Sequence, residues 1–294
     1  MAYDFYIVDV FAEQPYSGNP LAIVLTEQTL PEETMQRIAA ETNFSETTFL
    51  TPVAGGDGSY ALRIFTPSRE IDFAGHPILG SAWILAHYVI SNRPGRITIN
   101  LKIGQIEVEF GISADGRETV WFASPAVSFG KTSEPEPVAA ALGIAVADME
   151  PGLPVQLLAA GTSAIIVPLK NLGALERCQL DLERYNFLEK QGFPPLVYVF
   201  CNETADPDND LSARFFFEAG GVREDPATGN GAAFLGAYLQ KYQYRVKKDF
   251  SLRIEQGNKI GRPSLIYLES RSDSKGCQVK VGGHIVPIVE GKLL

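Results

Sequence analysis

Hydrophobic positions alternate with polar ones along most of this chain, and a few apolar stretches of helical length interrupt the alternation. A period of two is typical of strands, and a helix that is apolar on every side is a buried helix. Buried helices are therefore predicted at residues 77–89 and 232–242, and a further helix at 31–42, where Pro and two Glu open it. Strands are predicted at residues 6–11, 21–25, 49–53, 60–65, 96–110 (two strands around Gly104), 119–122, 163–167, 196–201, 214–218, 250–256, 264–269 and 278–289.

Similar segments precede the two buried helices. Residues 72–83 read DFAGHPILGSAW, and residues 225–234 read DPATGNGAAF: in each, an Asp is followed by a turn of small residues and an apolar run. A predicted strand with an Arg near its start, Arg63 or Arg214, lies before each segment. The two segments are about half of the 294-residue chain apart. The repeat predicts two related halves, with strands wrapped around one buried helix in each.

The beginnings of the two buried helices are candidate binding positions. A helix N-terminus presents free N–H groups and a positive dipole end, which suit a carboxylate or another anion. Two facing sites of this kind would form a cleft between the halves, where ligands often bind. The crossover from one half to the other is expected near residues 112–117, at the Asp115-Gly116 turn.

Charge and composition narrow the class of protein. The net charge of −10 argues against nucleic acid or an anionic membrane as a partner. It leaves room for a small anionic substrate, because local helix ends outweigh a distant global field. No apolar run approaches the roughly 18–20 residues of a membrane span. The first residues resemble a strand rather than a signal peptide, so a cytoplasmic protein is expected.

The metal-ligating residue types are few and scattered. Cys178, Cys201 and Cys277 lack the spacing of a metal site, and free thiols are the expected state. The three histidines are likewise too dispersed to indicate zinc. No P-loop, dinucleotide-binding motif or nucleophile elbow is present in the sequence.

Glu46 and His76 are the candidates for acid/base chemistry. Glu46 lies among small hydroxyl residues between a predicted helix and a strand, where partial desolvation would raise its pKa toward neutrality. Spacing alone favours a solvated Glu in a helix C-terminal turn. His76 follows the Gly that opens a buried helix and either hydrogen-bonds a substrate or caps its own helix. Asp72 and Asp225 are candidate helix caps, a role that suits Asp72 better.

These segments together resemble the PhzF-like family, named for the phenazine-biosynthesis isomerase. The resemblance covers nearly the whole chain, and the ordered set of motifs is more specific than any single one. The motifs are residues 18–20 (GNP), 43–47 (NFSET), 73–77 (FAGHP), 223–229 (REDPATG), 255–257 (EQG), 261–264 (GRPS) and 281–283 (VGG).

The resemblance implies an α+β fold like that of diaminopimelate epimerase: two pseudo-symmetric domains, each a β-barrel or sheet wrapped around a central buried helix. We expect the domains at residues 1–116 and 117–283, with a last strand at about 284–294 returning to the first domain. The active-site cleft is expected between them. A homodimer is expected by resemblance only.

The resemblance also assigns roles in the site. It reverses the interpretation of Glu46, which becomes the general acid/base, and it makes His76 and Asp225 residues that position substrate and assist proton movement. Backbone N–H groups at Gly75 and Gly229 are expected to bind a substrate carboxylate. No cofactor or metal is implied. Further substrate contacts are expected at four positions, namely Asn19, Ser45, Thr228 and Asn230.

Two departures from known patterns limit what the resemblance implies. Asn230 stands where the phenazine enzymes have Ser, so their dihydro-hydroxyanthranilate substrate is not carried over. Related epimerases use a pair of cysteines at positions that hold Ala74 and Thr228 here, which disfavours two-thiol epimerisation. The sequence therefore predicts a cofactor-independent isomerase that moves a proton on a small carboxylate-bearing substrate. A one-base epimerase or racemase and a non-catalytic binding protein remain the alternatives.

Overall fold

Short strands and a few helices follow one another in the computed structural model, which describes residues 2–53, 59–219, 221–273 and 276–294, and all of their side chains except those of 219, 222, 223, 272, 273, 276 and 277. In chain order the elements are β1 (Tyr3–Val10), β2 (Asn19–Leu25), α1 (Glu32–Thr42), β3 (Glu46–Pro52), β4 (Tyr60–Phe65), β5 (Glu70–Ile71), α2 (Gly75–Ile84), β6 (Arg96–Leu101), β7 (Gly104–Ile112), β8 (Glu118–Ala123), β9 (Ser128–Ser133), α3 (Pro135–Ala141), β10 (Val155–Ala160), β11 (Thr162–Pro168), α4 (Leu172–Arg177), α5 (Leu182–Lys190), β12 (Val197–Cys201), β13 (Leu211–Ala219), β14 (Val222–Asp225), α6 (Gly229–Tyr242), β15 (Phe250–Gln256), β16 (Ser264–Asp273), β17 (Gly276–Gly283) and β18 (Ile285–Leu293).

The chain divides into two units, Met1–Ala123 with Gly282–Leu294, and Ser124–Val281. In the first unit the strands follow the order β18-β1-β2-β3-β4-β6-β7-β8. The β2–β3 and β4–β6 pairs are parallel, and the other pairs are antiparallel. Helix α2 contacts strands from both ends of this order, so the sheet curls around it. Every residue of α2 is buried, as its lack of a polar face predicts.

The second unit repeats this topology. Its strands follow the order β9-β10-β11-β12-β13-β15-β16, with the parallel pairs β11–β12 and β13–β15 at the corresponding places. Helix α6 packs against β10, β11 and β16. The prediction of two related halves, each with strands around one buried helix, is therefore confirmed.

Helices outside the curled sheets differ between the units. In the first unit α1 covers β3 and β4 through buried Met35 and Ala39. In the second unit the outer helices are α3, α4 and α5, whose buried side chains include Val138, Leu175 and Tyr185. The hydrophobic pattern did not predict these three helices, because none is longer than 9 residues.

Three other details differ from expectation. The helix predicted at 77–89 consists of α2 and a π-helical turn, Leu85–Val89. The strand predicted at 278–289 is two strands, which His284 separates. The turn at residues 112–117, expected as the crossover, is the β7–β8 hairpin, because the Asp115-Gly116 signal is the same for both. The first unit instead ends at Ala123. Over the described residues, no helix combines the length and apolar character that crossing a membrane requires.

Candidate active site

Glu46 lies where the chain turns from α1 into β3. Helix α1 ends at Asn43, which has left-handed backbone angles (φ 54°, ψ 29°) and donates its N–H to Ala39 O. Glu46 then begins β3, opposite Leu21 of the parallel strand β2. Its side chain is only 16% exposed, so Glu46 is a largely buried carboxyl group on a strand rather than a solvated residue of the helix end.

His76 is the neighbour of this carboxyl group. It is the second residue of α2, and its Nε2 lies 3.3 Å from Glu46 Oε2. Burial of the imidazole lowers the pKa of His76 to about 3. The ring is therefore neutral near pH 7, and the Glu46–His76 contact is one between a carboxyl group and a neutral imidazole.

Asn19 contacts the other nitrogen of the same ring. Its Nδ2 lies 3.4 Å from His76 Nδ1, and its side chain is fully buried at the start of β2. Gly18 shapes this approach: its φ is +66°, and a Cβ there would lie 2.4 Å from Val10 O. The first unit thus brings Asn19, His76 and Glu46 together, and half-buried Ser45 adjoins Glu46 in the chain.

The start of α2 has no side-chain cap. The N-cap position is Ala74, and the first turn contains no acidic residue. Asp72, the expected cap, is exposed, and it precedes the N-cap by two residues. Because α2 begins without a side-chain acceptor among the described residues, its first N–H groups are suited to an anion.

The second unit has a comparable helix start with Asp225 beside it. Helix α6 begins at Gly229, and its N-cap is Thr228 rather than Asp225. Asp225 is only 9% exposed and accepts a hydrogen bond of 2.6 Å from Thr228 Oγ1. As in α2, no side chain caps the described first turn of α6, and that turn contains no acidic residue. Helices α4 and α5, in contrast, are capped by Asn171 and Asp181.

Gln256 holds this segment in place. Its Nε2 donates to Asp225 O at 2.9 Å and to Thr228 Oγ1 at 3.1 Å, while its Oε1 accepts from Thr228 N at 3.3 Å. Gly257 allows the close approach, because a Cβ there would lie 2.6 Å from Pro226 O. Sequence reasoning gave Gln256 no role, although it lies in the EQG motif.

Tyr198 lies against the first turn of α6. Its side chain is fully buried, and a Cβ at Gly231 would come within 2.3 Å of its Cδ2. Burial, and then the charge of Asp225, raise the pKa of Tyr198. Among the described residues, neither the Tyr198 hydroxyl nor Asn230 Oδ1 has a hydrogen-bond partner. The apolar strand pattern gave no indication of either feature.

Paired arginine and glutamate side chains fix the short strands that lead into both central helices. Arg63 Nε and Nη2 each lie 2.7 Å from Glu70 oxygens, and Arg214 makes the same bidentate contact with Glu224 at 2.9 and 2.7 Å. Each Glu precedes the first residue of its helix by the same number of positions. The repeat therefore extends to the side chains that position Gly75 and Gly229.

Cysteine chemistry at these helix starts is excluded by residue type. Ala74 and Thr228 occupy the two N-cap positions, as the sequence repeat predicted. Burial raises the pKa of the Cys178 thiol to about 12 and that of Cys201 to about 11, so neither is a thiolate near pH 7. The side chain of Cys277 lies outside the described residues.

A group of possible metal ligands occurs elsewhere in the first unit. The acceptor atoms of Glu13, Asp115 and His284 lie within 4.8 Å of one another. The guanidinium of Arg117 contacts both carboxylates and balances their negative charge, as a bound metal cation would. The group is therefore explained as an ion-pair cluster.

The predicted site residues thus form two sets. Asn19, Ser45, Glu46, Gly75 and His76 belong to the first unit, and Asn19 and Glu46 contact His76 at the start of α2. The second unit holds the rest, at the start of α6: Asp225, Thr228, Gly229 and Asn230. The roles of these residues and the expectation of one shared cleft stay predictions.

The sequence of this chain matches a known protein family and several of its members. The family model of phenazine biosynthesis-like proteins matches residues 8–291. An uncharacterized isomerase of Mesorhizobium japonicum is 32% identical, over 99% of this chain and 98% of its own. The trans-2,3-dihydro-3-hydroxyanthranilate isomerase of Pseudomonas aeruginosa is 31% identical, over 98% of each chain.

A solved structure gives the same result. The Bacillus anthracis phenazine biosynthesis protein of the PhzF family superposes with a TM-score of 0.89 at 29% identity, over 100% of this chain and 99% of that one. The diaminopimelate epimerase-like fold implied by the resemblance is confirmed. The chain belongs to the phenazine biosynthesis-like (PhzF) family and is an isomerase of that family.

Proposed function

We propose that this isomerase moves a proton between carbon atoms of a small carboxylate-bearing substrate, with Glu46 as the general acid/base and without a cofactor. The observation that carries the proposal is the largely buried Glu46 carboxyl group, 3.3 Å from a neutral, buried His76 at the start of an uncapped helix. A carboxyl group held away from water beside a neutral imidazole is suited to accept and return a proton.

The proton balance is simple. The Glu46 carboxylate removes a proton from a substrate carbon, and the electron pair of that C–H bond moves into the adjacent unsaturated system. The Glu46 carboxylic acid then returns the proton to a different carbon, so the substrate's composition is unchanged. His76 stabilises the carboxylate form of Glu46 before and after the transfer.

The substrate carboxylate is proposed to bind at a helix start. The first N–H groups of α2 follow Ala74, which has no side-chain acceptor, and those of α6 follow Thr228, whose hydroxyl donates to Asp225. Charge–dipole attraction and direct N–H bonds favour an anion at either place. The Pseudomonas aeruginosa relative supports this class, because the substrate in its name carries a carboxylate.

Deuterium exchange tests the proposal. A panel of small carboxylic acids, including anthranilate-like acids and amino acids, is first screened by thermal shift, because a bound ligand raises the apparent melting temperature. Binders are then incubated in deuterium oxide with the wild type and with Glu46→Gln. We expect exchange in the wild type and roughly a 100-fold or greater loss in the variant, with the thermal shift retained. Glu41→Gln, an exposed position on α1, is the matched control.

Each outcome separates the competing functions. Deuterium at a new carbon, together with migration of the double bond, supports the isomerase. Exchange at one stereocentre without migration indicates a one-base epimerase or racemase. Binding without exchange in the wild type indicates a binding protein. Full exchange in Glu46→Gln excludes Glu46 as the base.

A further inference from the structure

We propose that Asn19 is a positioning residue that fixes the tautomer of His76, so that the single ring proton is on Nε2, facing Glu46. Only the effect of this tautomer on catalysis by Glu46 rests on the proposed function. The tautomer itself is a property of the unliganded protein.

The argument begins with the two neighbours of the imidazole. Asn19 Nδ2 lies 3.4 Å from Nδ1, and Glu46 Oε2 lies 3.3 Å from Nε2. An amide NH₂ is a donor only, so Nδ1 must accept and therefore has no proton. A carboxylate oxygen is an acceptor only, so its charge favours a proton on Nε2, although the two atoms do not meet hydrogen-bond geometry. The Asn19 contact therefore sets the tautomer, and the Glu46 charge favours the same one.

Burial makes this assignment strict. His76 is buried and neutral, so the ring has one proton to place. In the opposite tautomer the Nε2 lone pair would face the Glu46 oxygen, and the Nδ1 proton would face an NH₂ group. Both contacts would be repulsive in a buried site of low dielectric, so this tautomer is disfavoured.

The backbone around Asn19 fixes where its side chain lies. Gly18 has a φ of +66° and no room for a Cβ, and Asn19 continues directly into β2 opposite Val10. Full burial of the side chain excludes direct solvent competition for the amide. Asn19 therefore acts on the reacting atoms through His76, which distinguishes it from the substrate contact expected from the sequence.

The mechanistic consequence concerns the proton on Glu46. With Nε2–H facing Oε2, the carboxylate form of Glu46 is stabilised and the base is ready to accept a proton from carbon. In the other tautomer His76 would be an acceptor and would stabilise the carboxylic acid form instead. Asn19 thus favours the carboxylate form of Glu46 in the protein before substrate binds.

Nitrogen NMR of the histidines tests the tautomer without any ligand. The chain has three histidines, so selective ¹⁵N labelling gives few signals, and His76→Asn identifies those of His76. We expect the wild type to show a protonated Nε2 and an unprotonated Nδ1 at pH 7. In Asn19→Asp the new carboxylate is an acceptor, and Nδ1 is expected to gain a proton, as the Nδ1–H tautomer or the imidazolium.

Two further variants keep the test decisive. Asn19→Leu removes the donor without adding charge, and its Nδ1 signal is expected to move from the hydrogen-bonded position, so the test holds if Asn19→Asp folds poorly. Asn171→Asp adds the same charge at the cap of α4, where Asp caps equally well, and the His76 signals should not change.

The results separate this inference from the proposed function. A wild-type His76 protonated on Nδ1, or a His76 signal unchanged in both Asn19 variants, would overturn the role of Asn19. The tautomer result would still stand if Glu46→Gln retained exchange activity, since in that case only the assignment of the base is lost.

Discussion

His76 has a measurable effect on stability, because burial lowers its pKa to about 3 from 6.5. The unfolded chain takes up a proton on this side chain as the pH falls through about 6.5, whereas the folded protein does not until about pH 3. The stability that a neutral His76 allows is therefore present above pH 6.5 and is lost between pH 6.5 and 3.

Denaturant unfolding at pH 7 and pH 5 checks this prediction. We expect the wild type to lose about 2 kcal/mol more between these two pH values than His76→Asn, which has no titrating group at the position. The comparison uses the difference between pH values, so the cavity that the substitution creates cancels. An equal pH dependence in both proteins would show that His76 is not held neutral.

The sequence identified Glu46, His76 and Asp225 by type and motif, but it could not show what they contact. Asn19 and His76 are far apart in the chain, and their meeting depends on β2 and α2 packing together. Gln256 reaches Thr228 from a later strand for the same reason. Contacts between distant segments have no local signal in the hydrophobic pattern, so these positioning residues emerge only with the fold.

Gly231 marks how closely helix α6 packs on β12. A Cβ at this position would lie 2.3 Å from a Tyr198 ring atom, so Gly231→Ala forces the ring or the helix to shift. We expect a loss of about 1–3 kcal/mol in the free energy of unfolding, measured in urea.

Gly173→Ala is the matched control for that substitution. Gly173 lies in α4, where the nearest atoms to an added Cβ are at an ordinary 3.5 Å. The expected result is a gain of roughly 0.5–1 kcal/mol, because Ala favours the helix. If the free energy of unfolding falls in Gly231→Ala and rises in Gly173→Ala, the loss at Gly231 is due to packing and not to helix propensity. A stable Gly231→Ala protein would mean that Tyr198 moves freely.

The Arg214–Glu224 pair anchors β14 ahead of α6. The Arg214 and Glu224 side chains are only 11% and 6% exposed, and Arg214 Nη1 also donates to Leu175 O and Cys178 O. Glu224→Ala leaves a buried guanidinium without its carboxylate, and a loss of about 3–5 kcal/mol is expected in denaturant unfolding. Exposed Glu189→Ala should change stability by less than about 0.5 kcal/mol. Similar losses in the two variants would contradict a specific anchoring role.

The sequence predicted those helices and strands whose side chains are buried either on one face or on every face. Helices α2 and α6 were found because they lack a polar face, and most strands were found because they alternate. Strand β9 was missed, since five of its six residues are exposed and no alternation results. The crossover was misplaced because a turn signal shows that the chain reverses direction, without showing which strand follows.

The last strand completes the first unit rather than the second. Strand β18 pairs along all of β1, from Tyr3 opposite Leu293 to Val10 opposite Ile285. Removing residues 284–294 would leave the outer edge of β1 unpaired and uncover half-buried Phe5. We expect lower soluble yield and a melting temperature reduced by several degrees, since every kcal/mol lost costs about 2–4 °C in a chain of this size.

Deletion of Leu294 alone is the control for the truncation. This residue is fully exposed and lies outside β18, so its loss should leave the melting temperature unchanged. An unaltered melting temperature in the longer truncation would show that β1 needs no outer neighbour. The homodimer expected from the family remains a prediction, which the mass in light scattering would decide.

The position of β18 also sets an order of events during synthesis. Domains generally fold as units, the N-terminal one first, as the chain leaves the ribosome. Here the second unit is one continuous stretch, Ser124–Val281, whereas the first unit needs Gly282–Leu294 as well. The segment translated first is therefore the last to be completed. While the second unit is being made, one edge of β1 is unpaired, and the first unit, which contains Glu46 and His76, is completed only after Gly282–Leu294 has been made.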